Sequence, residues 1–152
     1  MSFFAQLHNS VLALVSWSLV IMFVLYAYRI PAMAKAKVSF RKVAVKGSDD
    51  YRKEIAKIPN EVAQIGENYN HLMEQPTIFY ALVLYLSTHT DVYYRNDHRL
   101  NALAWTYVAL RVVHSLVQCF YNRIPVRFAV FSASSLVLAY MTFSVLAREL
   151  AK

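Results

Sequence analysis

Arg111 stands in an otherwise uncharged apolar run from Leu100 to Tyr121, and His114, Ser115, Gln118 and Asn122 follow it at offsets of 3, 4, 7 and 11 residues. On a helix these positions form one continuous face over three turns. A charge at membrane depth costs at least a few kcal/mol, so such a face turns toward a partner, a cavity or a ligand and not toward lipid. Two further groups belong with it. Asn70 and Glu74 are four residues apart and share a helix face flanked by His71, and Arg127 stands just before another apolar run. Guanidinium, carboxylate, imidazole and amide groups at one depth suit recognition of a charged ligand. They suit equally a polar glue between helices, with Glu74 neutralising Arg111 and each hydrogen bond worth about 0.6–2 kcal/mol. A Ser, His, Asp triad is not supported, because Glu74 alone offers a carboxylate near His114 and Arg111 competes for it. With no His pair at helical ligand spacing, no metal site is expected.

The elements that must carry these residues are membrane helices. Of 152 residues, 58% are hydrophobic, with two glycines and four prolines, and the mean hydropathy is +0.34. That mix belongs to an integral membrane protein and not to a soluble domain. The single cysteine, Cys119, excludes an intrachain disulfide framework. A net charge of +7 would suit nucleic acid, but the basic residues lie beside apolar segments without a nucleic-acid motif, so no nucleic-acid partner is expected.

Four spans follow, at about 11–28, 75–92, 100–121 and 128–147. Val11 to Tyr28 is uncharged for eighteen residues, close to the roughly 20 that a bilayer core of about 30 Å requires. No Lys or Arg precedes it and no small-residue cleavage site follows, so it reads as a span and not as a removed leader. The second span is short by itself, but the apolar spacing of Val62, Ile65, Tyr69, Leu72 and Met73 starts its helix well upstream. Pro76 deprives the Leu72 carbonyl of its helical donor and is expected to bend the chain. Asn122, Arg123 and Pro125 break the third helix from the fourth, Pro125 opening the latter in a tight antiparallel hairpin. Small residues at Ala129, Ser132, Ala133, Ser135 and Ala139 suit close helix contacts. The expected fold is all-α, a single four-helix transmembrane bundle.

Nine Lys and Arg fall between Arg29 and Met73, and Arg123 and Arg127 join them on that side, against Arg95, Arg99, Arg148 and Lys152 on the other. The positive-inside rule makes the loop at about 29–73 cytoplasmic and both termini non-cytoplasmic, in the inner membrane if the cell is bacterial. Tyr93, Tyr94 and Trp105 fit the outer aromatic belt and Tyr26, Tyr28 and Tyr121 the inner one. Lys46-Gly47-Ser48-Asp49-Asp50 has too few glycines for a phosphate loop and reads as a turn. The rest of that loop is expected to be a solvated connection, its lysines drawn to anionic headgroups and membrane lipids.

The run Glu67-Asn68-Tyr69-Asn70-His71-Leu72-Met73-Glu74-Gln75-Pro76, with Arg111-Val112-Val113-His114-Ser115 and Asn122-Arg123-Ile124-Pro125-Val126-Arg127, resembles the MAPEG family, the membrane-associated proteins in eicosanoid and glutathione metabolism. The resemblance covers nearly the whole chain. It implies a homotrimer that binds glutathione between subunits near the cytoplasmic face, and a glutathione-dependent transferase or peroxidase acting on lipophilic electrophiles. Glutathione, the thiol cosubstrate, carries two carboxylates, an ammonium and a thiol. Arg111 and Arg127 would hold its anionic groups, Glu74 its ammonium, and Asn70, His114 and Gln118 its amides. Arg127 is the candidate to stabilise the thiolate. A non-catalytic lipid-binding or scaffold protein of the same fold is the alternative. Two departures from the pattern stand out: Asn70 precedes Glu74 by four residues where characterised members have three, and Gln118 stands where some have a Tyr.

Overall fold

The computed structural model describes residues 6–88 and 97–151, and all regular structure among them is helical. In chain order the elements are α1 (Asn9–Lys35), α2 (Asp49–Ile55), α3 (Asn60–Glu74), α4 (Pro76–Thr88), α5 (His98–Leu116) with a π-helical continuation (Val117–Tyr121), and α6 (Ile124–Leu150). Among the described residues three helices are long and apolar enough to cross a membrane: Asn9–Lys35, His98–Tyr121 and Ile124–Leu150. The expected second span maps onto α3 and α4, and its last residues, with Tyr93, Tyr94 and Arg95, lie outside the described residues.

Each break between elements has a local cause. Pro76 has no N–H to continue the ladder, and α3 gives way to α4 at Gln75, which donates through its side chain to the Ser135 hydroxyl on α6. Pro31, by contrast, lies inside α1, which runs on to Lys35. Asn122 ends the π segment in the left-handed region at φ 40°, its N–H reaching back five residues to the Val117 carbonyl at 2.7 Å. Asparagine tolerates that conformation better than most side chains. Pro125 occupies the first turn of α6, where its missing N–H costs nothing.

One apolar cluster ties the long helices together: Leu14 and Ile21 of α1, Leu72 of α3, Phe79 and Val83 of α4, Ala104, Tyr107 and Val108 of α5, and Leu138 and Met141 of α6. Leu86, Leu100 and Val145 extend it toward the far end. There Asp97 caps α5, accepting from the N–H groups of Arg99 at 2.8 Å and Leu100 at 3.2 Å, and pairs with Arg148 of α6 at 2.6 Å. Burial pushes the Asp97 carboxyl up, but Arg148 and the two N–H groups outweigh it and hold the group below its ordinary value.

The connection between α1 and α3 differs from the solvated loop expected of it. Val38, Ile58 and Val62 are buried together, with Ala32, Met33, Ala36, Val43 and Ile55 packed around them. Glu54, 4% exposed, accepts from the Ser39 N–H at 2.9 Å and from Lys57 at 2.8 Å. The Lys57 bond, with the Ser39 N–H, holds its carboxyl below the usual value against the opposing effect of burial. The turn at Gly47, φ 89°, leads into Ser48, whose hydroxyl caps α2 by accepting from the Tyr51 N–H at 3.1 Å. The apolar residues of this segment are too scattered in sequence to show a period, which is why they pass for a plain connection.

Candidate functional site

The polar face on α5 is buried as a unit. Arg111 is 1% exposed, His114 3%, and Ser115 and Gln118 0%. Residues of these types are rarely sealed away unless something satisfies them. Arg111 is satisfied in part: its Nη2 donates to the His71 carbonyl at 2.7 Å. Its guanidinium also lies over the rings of Phe131 at 5.4 Å and Tyr107 at 5.9 Å, within cation–π range. Arg111 Nε and Nη1 find no hydrogen-bond partner within the protein, and neither do the Ser115 hydroxyl or either polar atom of the Gln118 amide. An unmet buried donor or acceptor costs about 1–3 kcal/mol.

His114 closes one side of this face. Its ring stands edge-on to that of His71 at 5.9 Å and tilted to Phe131 at 5.7 Å, while His71 meets Phe131 at 6.2 Å. His71 from α3, Phe131 from α6 and His114 on α5 itself form this ring cluster beside Arg111. His71 also approaches Glu74, Nδ1 to Oε2 at 3.7 Å.

Asn68 is the residue that the sequence pattern does not single out. It is 0% exposed, its Nδ2 donates to the Cys119 sulfur at 3.4 Å on the π segment, and its Oδ1 has no partner within the protein. Of the periodic positions Val62, Ile65, Tyr69, Leu72 and Met73, Val62 and Leu72 are buried, Ile65 and Tyr69 half-buried and Met73 exposed, and Gly66 and Asn68 join the buried side. Gly66 lies on that buried side, against α1. A Cβ there would meet Arg29 Nη1 at 3.4 Å and Leu25 Cδ1 at 3.7 Å, ordinary contact distances, so α1 passes beside α3 at that point with room for a methyl group.

The other expected site residues are placed differently. Asn70 is exposed on the single chain, and the Glu74 side chain is 72% exposed. Glu74 lies within electrostatic reach of Arg111 but makes no ion pair with it. Arg127, half-buried on the first turn of α6, donates through Nη1 to the Asn122 side-chain oxygen at 3.2 Å and comes within electrostatic reach of His114. The structure thus brings Arg111, His114, Gln118 and Asn68 into one buried polar wall, with Arg127 at its end, and leaves Asn70 and Glu74 on the outer surface of the chain. Among the described residues no group of three or more His, Cys, Asp or Glu could hold a metal ion.

The chain matches the model of the MAPEG family over residues 9–147. Neither comparison with curated proteins nor comparison with solved structures gives a match.

Proposed function

Since the chain belongs to the MAPEG family, a family of membrane proteins in glutathione and eicosanoid metabolism, we propose that it is a glutathione-dependent transferase or peroxidase acting on lipophilic electrophiles. The observation that carries the proposal is the buried polar wall in which Arg111 Nε and Nη1, the Ser115 hydroxyl, both ends of the Gln118 amide and Asn68 Oδ1 are unmatched. A tripeptide thiol with two carboxylates and two amides has the donors and acceptors to complete them. Arg111 and Arg127 would take the anionic groups, Asn70, His114 and Gln118 the peptide amides, and Glu74 the ammonium.

Asn70 and Glu74 face outward, which supports a site completed by a neighbouring copy in a homotrimer. The large apolar residues exposed on α1 and α6, among them Phe23, Leu136, Tyr140 and Phe143, suit both lipid and such a neighbour. In this reading α3 and α4 together make a second membrane span beside the three long helices, with the cytoplasm on the side of the α1–α3 connection. Glutathione supplies the nucleophilic sulfur. A free thiol has a pKa of roughly 8.5, and the Arg127 guanidinium, held beside the wall by Asn122, would favour its ionised form.

The test is a thiolate absorbance titration of the purified protein with glutathione. Wild type should develop the thiolate band and Arg127→Ala should not. Silence in both would favour the other reading, a lipid-binding or scaffold protein, for which the existing bond from Arg111 to the His71 carbonyl speaks as internal glue.

A further inference from the structure

Where α1 leaves its apolar run, the fold opens a cleft of about 500 Å³ lined by Ala27, Tyr28, Pro31, Lys35, Lys57 and Val62. We infer that this cleft is a binding site for an anionic phospholipid of the surrounding leaflet, separate from the Arg111 wall, with the headgroup phosphate between Lys35 and Lys57.

Depth, charge and shape point the same way. Val11 to Tyr28 is the uncharged stretch of α1, and at 1.5 Å per residue it measures about 27 Å, the thickness of the hydrocarbon core. Tyr28 therefore sits at the edge of that core, and Lys35, seven residues on, lies about 10 Å beyond it, in the headgroup layer. The cleft runs between those two levels. Its membrane end is apolar and its outer end carries two ammonium groups. Lys57 gives one of its three donors to Glu54 at 2.8 Å, leaving two. Glu54 is the carboxylate that opposes an anion here, and it is already engaged by Lys57 and by the Ser39 N–H, with Lys42 also within electrostatic reach. Both charged residues of the lining, Lys35 and Lys57, are basic. Pro31 adds a further element: it has no N–H to offer the Ala27 carbonyl four residues back, and both residues line the cleft. That carbonyl is an acceptor for a headgroup hydroxyl, as in phosphatidylglycerol. Tyr28, 59% exposed, brings an amphipathic ring to the depth where such rings settle.

The experiment titrates the detergent-solubilised full chain with short-chain phosphatidylglycerol or phosphatidylcholine and reads the lipid concentration that half-saturates thermal stabilisation. Phosphatidylglycerol should stabilise wild type and phosphatidylcholine should not. Lys35→Gln should raise the half-saturating concentration about fivefold, the worth of one lysine near a charged lipid surface, and Lys35→Arg should restore it. Lys35 is exposed at the end of α1, so its replacement leaves the packing intact. Lys53→Gln makes the same charge change outside the cleft and should behave as wild type. Equal losses in Lys35→Gln and Lys53→Gln would reduce the effect to diffuse surface charge and overturn the site. So would equal stabilisation by phosphatidylcholine, or an equal shift from inorganic phosphate alone. Because the Arg111 wall takes no part, loss of the glutathione response leaves this result untouched.

Discussion

Two polar regions of this molecule treat their hydrogen bonds in opposite ways. At the start of α5 and in the α1–α3 connection the half-buried Asp97 and the buried Glu54 are fully engaged: Asp97 by two N–H groups and Arg148, Glu54 by Ser39 and Lys57. Along the Arg111 face, deeper in the fold, donors and acceptors are sealed from solvent yet unmatched on Arg111, Ser115, Gln118 and Asn68. The first pattern locks an end and a loop in place. The second costs stability in the free chain, and under the proposed function it is the surface that the ligand completes.

The sharpest way to break the contrast is to remove Arg111 itself. Arg111→Ala deletes the bond to His71 and empties the space under Phe131 and Tyr107; it should cost about 3 kcal/mol or more, read as a large fall in melting temperature in detergent. Next in size is the engaged region. Asp97→Ala should cost about 1–2 kcal/mol through the lost cap, while Asp97→Asn, which keeps an acceptor for the N–H groups, should cost less. Since the folded pKa of Asp97 is lowered, its contribution is complete above the ordinary carboxylate pKa of about 3.9 and is lost as pH falls through the lower folded value. Asp97→Asn should flatten that acid limb of a melting curve taken against pH. The smallest effect is at Gly66, where an added Cβ meets only ordinary contacts at 3.4 and 3.7 Å. Gly66→Ala should be neutral or stabilising by up to about 1 kcal/mol, through helix propensity and a less flexible unfolded chain. A marked destabilisation would mean that α1 and α3 approach more closely there than the structure has them.

Much of this was legible in the residues. Spacing alone placed Arg111, His114, Ser115 and Gln118 on one face, and burial agrees for all four. Pro76 and the Asn122 to Pro125 segment marked breaks that the chain makes, because proline acts through its own backbone and needs no tertiary context. The rest depended on packing. Asn68 faces the π segment, donating to Cys119, and which neighbour a given side of α3 meets is not a local property. The π segment depends on Asn122 adopting positive φ, which the side chain permits but does not dictate. The buried cluster around Val38, Ile58 and Val62 is assembled from residues up to 24 apart, a separation over which helical periodicity carries no information.

The measurement that bears most directly on the central claim is glutathione binding by calorimetry, with the ligand-free melting temperature, for wild type and Gln118→Leu. If the Gln118 amide is held unmatched for a ligand, an apolar side chain of similar size should raise ligand-free stability by about 1 kcal/mol and weaken glutathione binding at least tenfold. A variant that melts lower than wild type and binds glutathione unchanged would show that Gln118 serves the packing of the helices, and would contradict the account.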